Sequence, residues 1–400
     1  MARGVAARLD RVPASATLAM NARVEELRAA GKPVLDFGVG EADFEPPPAV
    51  LEVARDALHH ANHYAPVSGT DELRSAIARA SERDRGYAAK ASQVVVSFGA
   101  KQALFNSLMM LLDPGDEVLV PAPYWVSHPA QVELLGGVPK IIQARKADGW
   151  KIRPETLERA ITPRSKAMIL CSPANPTGAT YSAEELKGLA EVIKAHDLYV
   201  LSAEGYHAFT YGRRHASIVN AAPELAERTL IIDGVSKTYA LAGWRVGWTI
   251  APKRLARSLE KIQSQSTSGV SVVAQAVAAC ALSGSQAVVE GARAAYAETR
   301  STLALGLDGI DGMHCSVPEG GIYALPEVSG LYGIQHQGRE LSSARDVALW
   351  LLDTAHIVCI DGDAFGAPNH VRFTLTTDSA RIRDALDAIR AAVAGARRDL

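Results

Sequence analysis

The chain has 400 residues, 48% of them hydrophobic, with 42 Lys and Arg set against 44 Asp and Glu for a formal net charge of −2 at pH 7. That length exceeds what one hydrophobic core usually holds, so two domains are the expectation. The near-balanced charge gives no broad field to steer nucleic acid or an anionic membrane to the protein, which leaves small-molecule chemistry as the class favoured by elimination.

The opening segment, MARGVAARLDRVPASATLAM, is basic at first but lacks the continuous apolar region of a secretory signal. No stretch reaches the roughly 18 apolar residues of a spanning helix, so a cytoplasmic protein is expected. Residues 15 to 45 are expected to join a smaller second domain. The segment HHANH carries His59, His60 and His63 at helical spacing, but no carboxylate or cysteine nearby completes a metal set, and the three read as surface residues. From about residue 50 to 280, helical patterns alternate with short apolar runs: QVVVSFG, DEVLVPAP, VPKIIQA, KAMILCSP, LYVLSAE, TLIIDGVSK and GWTIAP. Continuous β-branched runs suit strands buried on both faces, and intervening helices suit parallel crossovers. The fold class predicted is α/β, a three-layer αβα domain with a mostly parallel sheet.

An Ala-rich helical pattern over about 285 to 310 leads to CSVPEGGIYALPEV and NHVRFTLTT, two strands of a smaller α+β domain closed by DSARIRDALDAIRAAVAG. The predicted division is an arm and first part of the small domain at 1–47, a large domain at 48–284, and an interdomain helix with the small domain at 285–400. The four cysteines, Cys171, Cys280, Cys315 and Cys359, form no CxxC pair and read as reduced thiols.

Several strand ends carry chemistry. Lys237 lies in DGVSKTYALAGWRVGW, directly after an apolar strand and eight residues before Arg245. SFGAKQAL gives a strand, a small-residue turn and a helix start whose free N–H groups suit a phosphate. CSPANPTG fixes Asn175 in a rigid turn, and PAPYWVSH places Trp125 in a loop, where an indole is well used if it stacks on something flat. In an open α/β sheet such ends converge on one crevice.

In order, the motifs VGEADF, YAPVSGTDELR, GAKQALFN, PGDEVLVPAPYW, SPANPTG, SKTYALAGWRVGW, PEGGIYALP and VRFT resemble the aspartate aminotransferase group of fold type I enzymes, which use pyridoxal 5'-phosphate (PLP). The resemblance runs from about Pro13 to the last helix. It implies that Lys237 holds the cofactor as a Schiff base and shuttles a proton once released. It also implies that Arg245, Ser236 and the turn of Gly99, Ala100 and Lys101 hold the phosphate, and that Trp125 stacks on the pyridine. Asn175 and Tyr206 would bond the ring's phenolic oxygen. Arg372 would take the α-carboxylate of an amino-acid substrate, with a backbone contact from Gly40. Tyr64 would reach the phosphate of a neighbouring subunit, which implies a homodimer with shared sites.

One departure stands out. The family's Asp-Glu-x-Tyr, whose aspartate pairs with the pyridine nitrogen, reads Ala203, Glu204, Gly205, Tyr206 here. An opposite charge moves a pKa by about 1 to 3 units, so its loss weakens the electron sink. Three readings stay open: a repaired aminotransferase in which Glu204, His207 or a water takes the aspartate's place; a PLP enzyme of elimination, replacement, cyclisation or carbon–carbon bond formation; or a non-catalytic binding protein. Asp361 and Asp363, in CIDGDAFG, are read either as recognising a cationic substrate or as a solvated turn.

Overall fold

The computed structural model describes residues 5–11 and 17–398. Residues 1–4 and 12–16 of the N-terminal arm, including Pro13, lie outside the described residues. All seven apolar runs form strands of one sheet: β1 (Val94–Ser97), β2 (Glu117–Ala122), β3 (Val138–Gln143), β4 (Ser165–Cys171), β5 (Tyr199–Ala203), β6 (Thr229–Gly234) and β7 (Gly247–Ile250). Their order is β1-β7-β6-β5-β4-β2-β3. Strand β7 runs antiparallel to both of its neighbours, and the remaining pairs are parallel. The chain therefore adopts the expected α/β architecture. Its antiparallel strand was not legible, because Lys253–Ser264 follows β7 as another helix would follow a parallel strand.

Helices cover both faces. Gly99–Leu111 and Lys253–Ser264 pack on Val95, Leu201, Leu230 and Ile232, while Ala183–Ala195 packs on Met168, Leu170 and Val200. Leu201 and Leu230 are fully buried, each contributing on the order of 2 kcal/mol. Because alternate residues of each strand meet different helices, the runs are apolar throughout rather than alternating.

A second core gathers early and late residues. Phe37, Leu303, Leu307, Val347, Leu351, Phe373, Ile382 and Leu386 pack together between the helices Ala287–Asp308, Ala344–Ala355 and Ser379–Arg398. Leu35–Asp36 pairs in parallel with Ile357–Val358. Val371–Thr374 lies between Ile360–Asp361 and Tyr323–Ala324 in a three-stranded antiparallel sheet. The carboxyl ends of β1, β2, β4, β5 and β6 open on one crevice, which Val371–Thr374 approaches from the other side. Among the described residues, no single helix is long and apolar enough to cross a membrane.

Candidate active site

Strand β6 delivers its last residues into a tight turn. Asp233 Oδ1 accepts from the Gly234 N–H at 2.7 Å, and the single turn Val235–Thr238 then presents Lys237, whose amine donates to the Gly40 carbonyl. Lys237 faces a cavity of about 470 Å³ that it shares with Ala100, Lys101, Trp125, Asn175, Ala203, Tyr206, Ser236 and Arg245.

One end is built for an anion. The helix Gly99–Leu111 starts there, so its first N–H groups lack intrahelical acceptors. Gly99 has φ +81, a conformation that glycine adopts freely, and a Cβ on it would stand 2.6 Å from Arg245 Nη2. The guanidinium therefore lies directly over the turn, anchored by Nη1 donating to the Ala242 carbonyl at 2.8 Å. Arg245 itself takes the left-handed conformation, φ +56, a rare geometry for a residue with a side chain and one that function commonly retains. Lys101 Nζ sits 4.9 Å above the Trp125 ring. Burial, then Arg245 and Lys237, lower its pKa.

The opposite wall holds a second cation. Arg372 is buried with Nη2 donating to the Gly38 carbonyl at 2.8 Å and Nη1 to Asn175 Oδ1 at 3.2 Å. Its guanidinium is sandwiched between Tyr323 and Phe365 at 4.4 and 4.6 Å, and its Nε has no partner among the described residues. Asn175 spends its oxygen on Arg372, leaving its Nδ2 donors for another acceptor. Tyr206 shares a hydrogen bond of 3.1 Å with the Tyr323 hydroxyl, and burial with Tyr323 alongside pushes its pKa well up.

The third wall is bare. Ala203, Gly205, Ile232 and Gly234 line it without a carboxylate. Glu204 points away from the cavity into the protein: its Oε2 accepts from Arg85 Nε at 2.6 Å and lies 3.1 Å from His215 Nε2, and its Oε1 accepts from Ser202 and Ser217 at 2.8 and 2.7 Å. His207 is buried in the same cluster, its Nδ1 3.2 Å from Asp233 Oδ2. Neither is free to take the place of an acid at 203.

The described residues fit PLP: a helix start under a guanidinium for the phosphate, an indole for a ring face, unspent amide donors for a phenolic oxygen, and a lysine for the aldehyde. Residues 32–389 match the family model "Aminotransferase class I and II". The chain is 39% identical to the aspartate aminotransferase of Streptomyces avermitilis over 93% of this chain and 92% of that one. It is likewise 39% identical to that of Geobacillus stearothermophilus over 96% and 98%. The solved aspartate aminotransferase from Rhizobium meliloti superposes with a TM-score of 0.94 at 37% identity, covering 98% of this chain and 99% of that one. The chain belongs to the class I and II aminotransferases. It is a PLP-dependent transferase of fold type I acting on an amino acid, and members of this family are typically homodimeric.

Against that family pattern, the sequence-predicted residues fall into two groups. Gly99, Ala100, Lys101, Trp125, Asn175, Tyr206, Ser236, Lys237 and Arg245 gather at or beside the cavity, with Gly40 and Arg372 at its edge. Tyr64 does not: the residue is 96% exposed on the single chain. Asp361 and Asp363 do not line the cavity either: Asp361 is buried in the small-domain sheet and Asp363 is exposed in the 3-10 turn that follows. Among the described residues no group of three or more His, Cys, Asp or Glu is placed to hold a metal. Sequence reasoning missed His128, Tyr323 and Glu41. His128 lines the cavity, with its ring 5.6 Å from that of Trp125, and burial lowers its pKa to about 3, so it is neutral. Only its spacing of three from Trp125, within one helical turn, could have signalled it.

Proposed function

We propose that this aminotransferase takes its amino group from a dicarboxylic amino acid, despite lacking the acid that the family places at position 203. The carrying observation is charge: Lys101, Lys237 and Arg245 line the cavity against a single carboxylate, Glu41, with Arg372 at the edge. A phosphate under Arg245 accounts for one cation, and Lys237 is committed to the cofactor aldehyde. Arg372 and Lys101 are left for two carboxylates. The aspartate aminotransferase of Thermus thermophilus, with a TM-score of 0.90 at 36% identity, was solved with maleate, itself a dicarboxylate.

When bound, PLP supplies an electrophilic carbonyl and a conjugated ring that accepts electrons. The chain's own residues do the rest. Arg372, pinned on both Nη atoms and stacked between two rings, offers its Nε edge to the α-carboxylate, so the amino acid enters with its α-carbon fixed relative to Lys237. The Lys237 amine, steadied by the Gly40 carbonyl, takes the α-proton and returns it. Asn175 and Tyr206 hold the phenolic oxygen, and Trp125 covers one ring face. Tyr64 reaches the phosphate of a second copy, and residues 48–284 form the cofactor-binding domain.

Removing the Lys101 charge tests substrate class. Lys101→Ala raises KM for aspartate and glutamate by about 10-fold or more, as expected when a charge-assisted bond of about 1.5–3 kcal/mol is lost. KM for alanine or phenylalanine stays within about twofold. Equal losses on both classes contradict the dicarboxylate reading.

A further inference from the structure

The bare wall at 203 has an acid directly behind it. Asp233 is fully buried at the end of β6. Its Oδ2 is taken by Arg85 Nη2 and His207 Nδ1. Its Oδ1 accepts only the Gly234 N–H among the described residues, and a carboxylate oxygen has room for a second donor. That oxygen lies 3.9 Å from where a Cβ on Gly205 would stand, and Gly205 lines the cavity. Nothing in the backbone requires glycine there: φ is not in the left-handed region, and a Cβ meets no clash. Asp233 does not itself line the cavity, but with only a methyl at Ala203 and no side chain at Gly205, neither residue places side-chain bulk between the two, and this gap is a window toward the acid.

The charges behind the window are unbalanced. Arg85, its side chain 2% exposed, faces two carboxylates, Glu204 and Asp233, each 1% exposed. Asp84, the third acid on this side, is already paired with Arg83 at 2.6 Å. Two imidazoles, His207 and His215, and the Tyr239 hydroxyl complete the titratable groups that face the cluster. With both imidazoles neutral one buried negative charge is in excess, which is costly unless a proton, on an imidazole or on a ligand at the window, neutralises it. Burial and then Arg85 work against a proton on His207, but Asp233 and Asp84 outweigh them and raise its pKa, so this imidazole also draws on the negative charge.

Building on the cofactor reading above, we propose that Asp233 is the acid partner of the cofactor's ring nitrogen, acting through the window at Gly205 in place of a carboxylate at 203. The proton stays on the ring, held there by the Asp233 carboxylate, with His207 and the ring nitrogen sharing the negative charge that Arg85 leaves unbalanced.

The test is nitrogen NMR on the full-length protein reconstituted with ring-15N PLP. The wild-type resonance should report a protonated ring nitrogen at neutral pH. Asp233→Asn should lower the ring's apparent pKa by about 1 to 3 units, the usual effect of removing a nearby opposite charge. Because that variant also strips a partner from Arg85, Gly205→Leu provides a second route: it leaves the cluster whole, fills the window with apolar bulk and should lower the same pKa. An unprotonated ring in the wild type, or an unchanged pKa in both variants, overturns the proposal while leaving the cofactor in place. No bound label, with Lys237 unmodified after borohydride treatment, overturns the cofactor reading and this proposal together.

Discussion

The two ends of the cavity solve opposite electrostatic problems. At the phosphate end the ligand brings the negative charge, so the protein supplies donors in the open: a helix start, a glycine turn and Arg245 above it. At the ring-nitrogen end the ligand brings at most one proton, and the protein keeps its negative charge out of sight, with Glu204 and Asp233 buried around Arg85. An end that meets its ligand directly is fixed by local motifs. An end that works through a wall is fixed by charges drawn from distant parts of the chain, here the helix ending at Arg85 and the ends of β5 and β6.

Substitutions at each end sharpen this contrast. The largest effect falls on Lys237→Ala, which removes both the covalent tether and the proton carrier; transamination should drop by at least about 10²–10⁴-fold, the range of general acid–base catalysis alone, read by coupled assay. Arg85→Ala should leave two buried carboxylates without their guanidinium and destabilise the fold by about 3–5 kcal/mol, measured by denaturant unfolding; a loss below about 1 kcal/mol would show that Arg85 is not the cation on which both carboxylates depend. Arg372→Lys keeps the charge but loses the planar fork, and kcat/KM should fall by roughly 10–100-fold through the loss of about 1.5–3 kcal/mol of charge-assisted bonding.

The cluster also sets an acid limit on stability. Glu204 is held below the ordinary carboxylate range: burial opposes its charge, but His215, Arg85 and Ser217 outweigh it. Asp233 is lowered likewise, with His207 and Arg85 overcoming burial. A folded-state pKa below the unfolded value gives stability that is complete above about pH 4 and lost as pH falls below it. Unfolding free energy should therefore decline on the acid side of about pH 4, and Glu204→Gln should flatten that decline. The smallest effect expected is that of Ala203→Asp. With Asp233 already serving the ring, an added acid should change the transamination rate by less than about tenfold, one pKa unit's worth.

The same contrast explains what could be read from the sequence. The seven apolar runs marked the sheet because burial on both faces leaves no other composition for them. Lys237, Arg245 and Gly99 were legible because each sits at a strand end in a turn whose residues are locally distinctive. The antiparallel β7 was not legible, since strand direction depends on pairing rather than on residue type. Arg85 reads as an ordinary basic residue at a helix end, and only the fold brings it to Glu204, 119 positions later. Asp233 did carry a signal: a charged residue ending an apolar strand, four positions before the lysine. The acids at 361 and 363 misled because Asp361 is placed by strand pairing with Val371 and Asp363 by the short 3-10 turn that follows, neither of which residue type reveals.

The most direct test of amino transfer at a site with no acid at 203 follows the nitrogen itself. Wild-type protein is incubated with [15N]aspartate and 2-oxoglutarate, and the products are analysed by mass spectrometry. The account predicts labelled glutamate and oxaloacetate in equal amounts. Labelled ammonia without labelled glutamate, or unaltered aspartate in protein shown to carry PLP on Lys237, would contradict it.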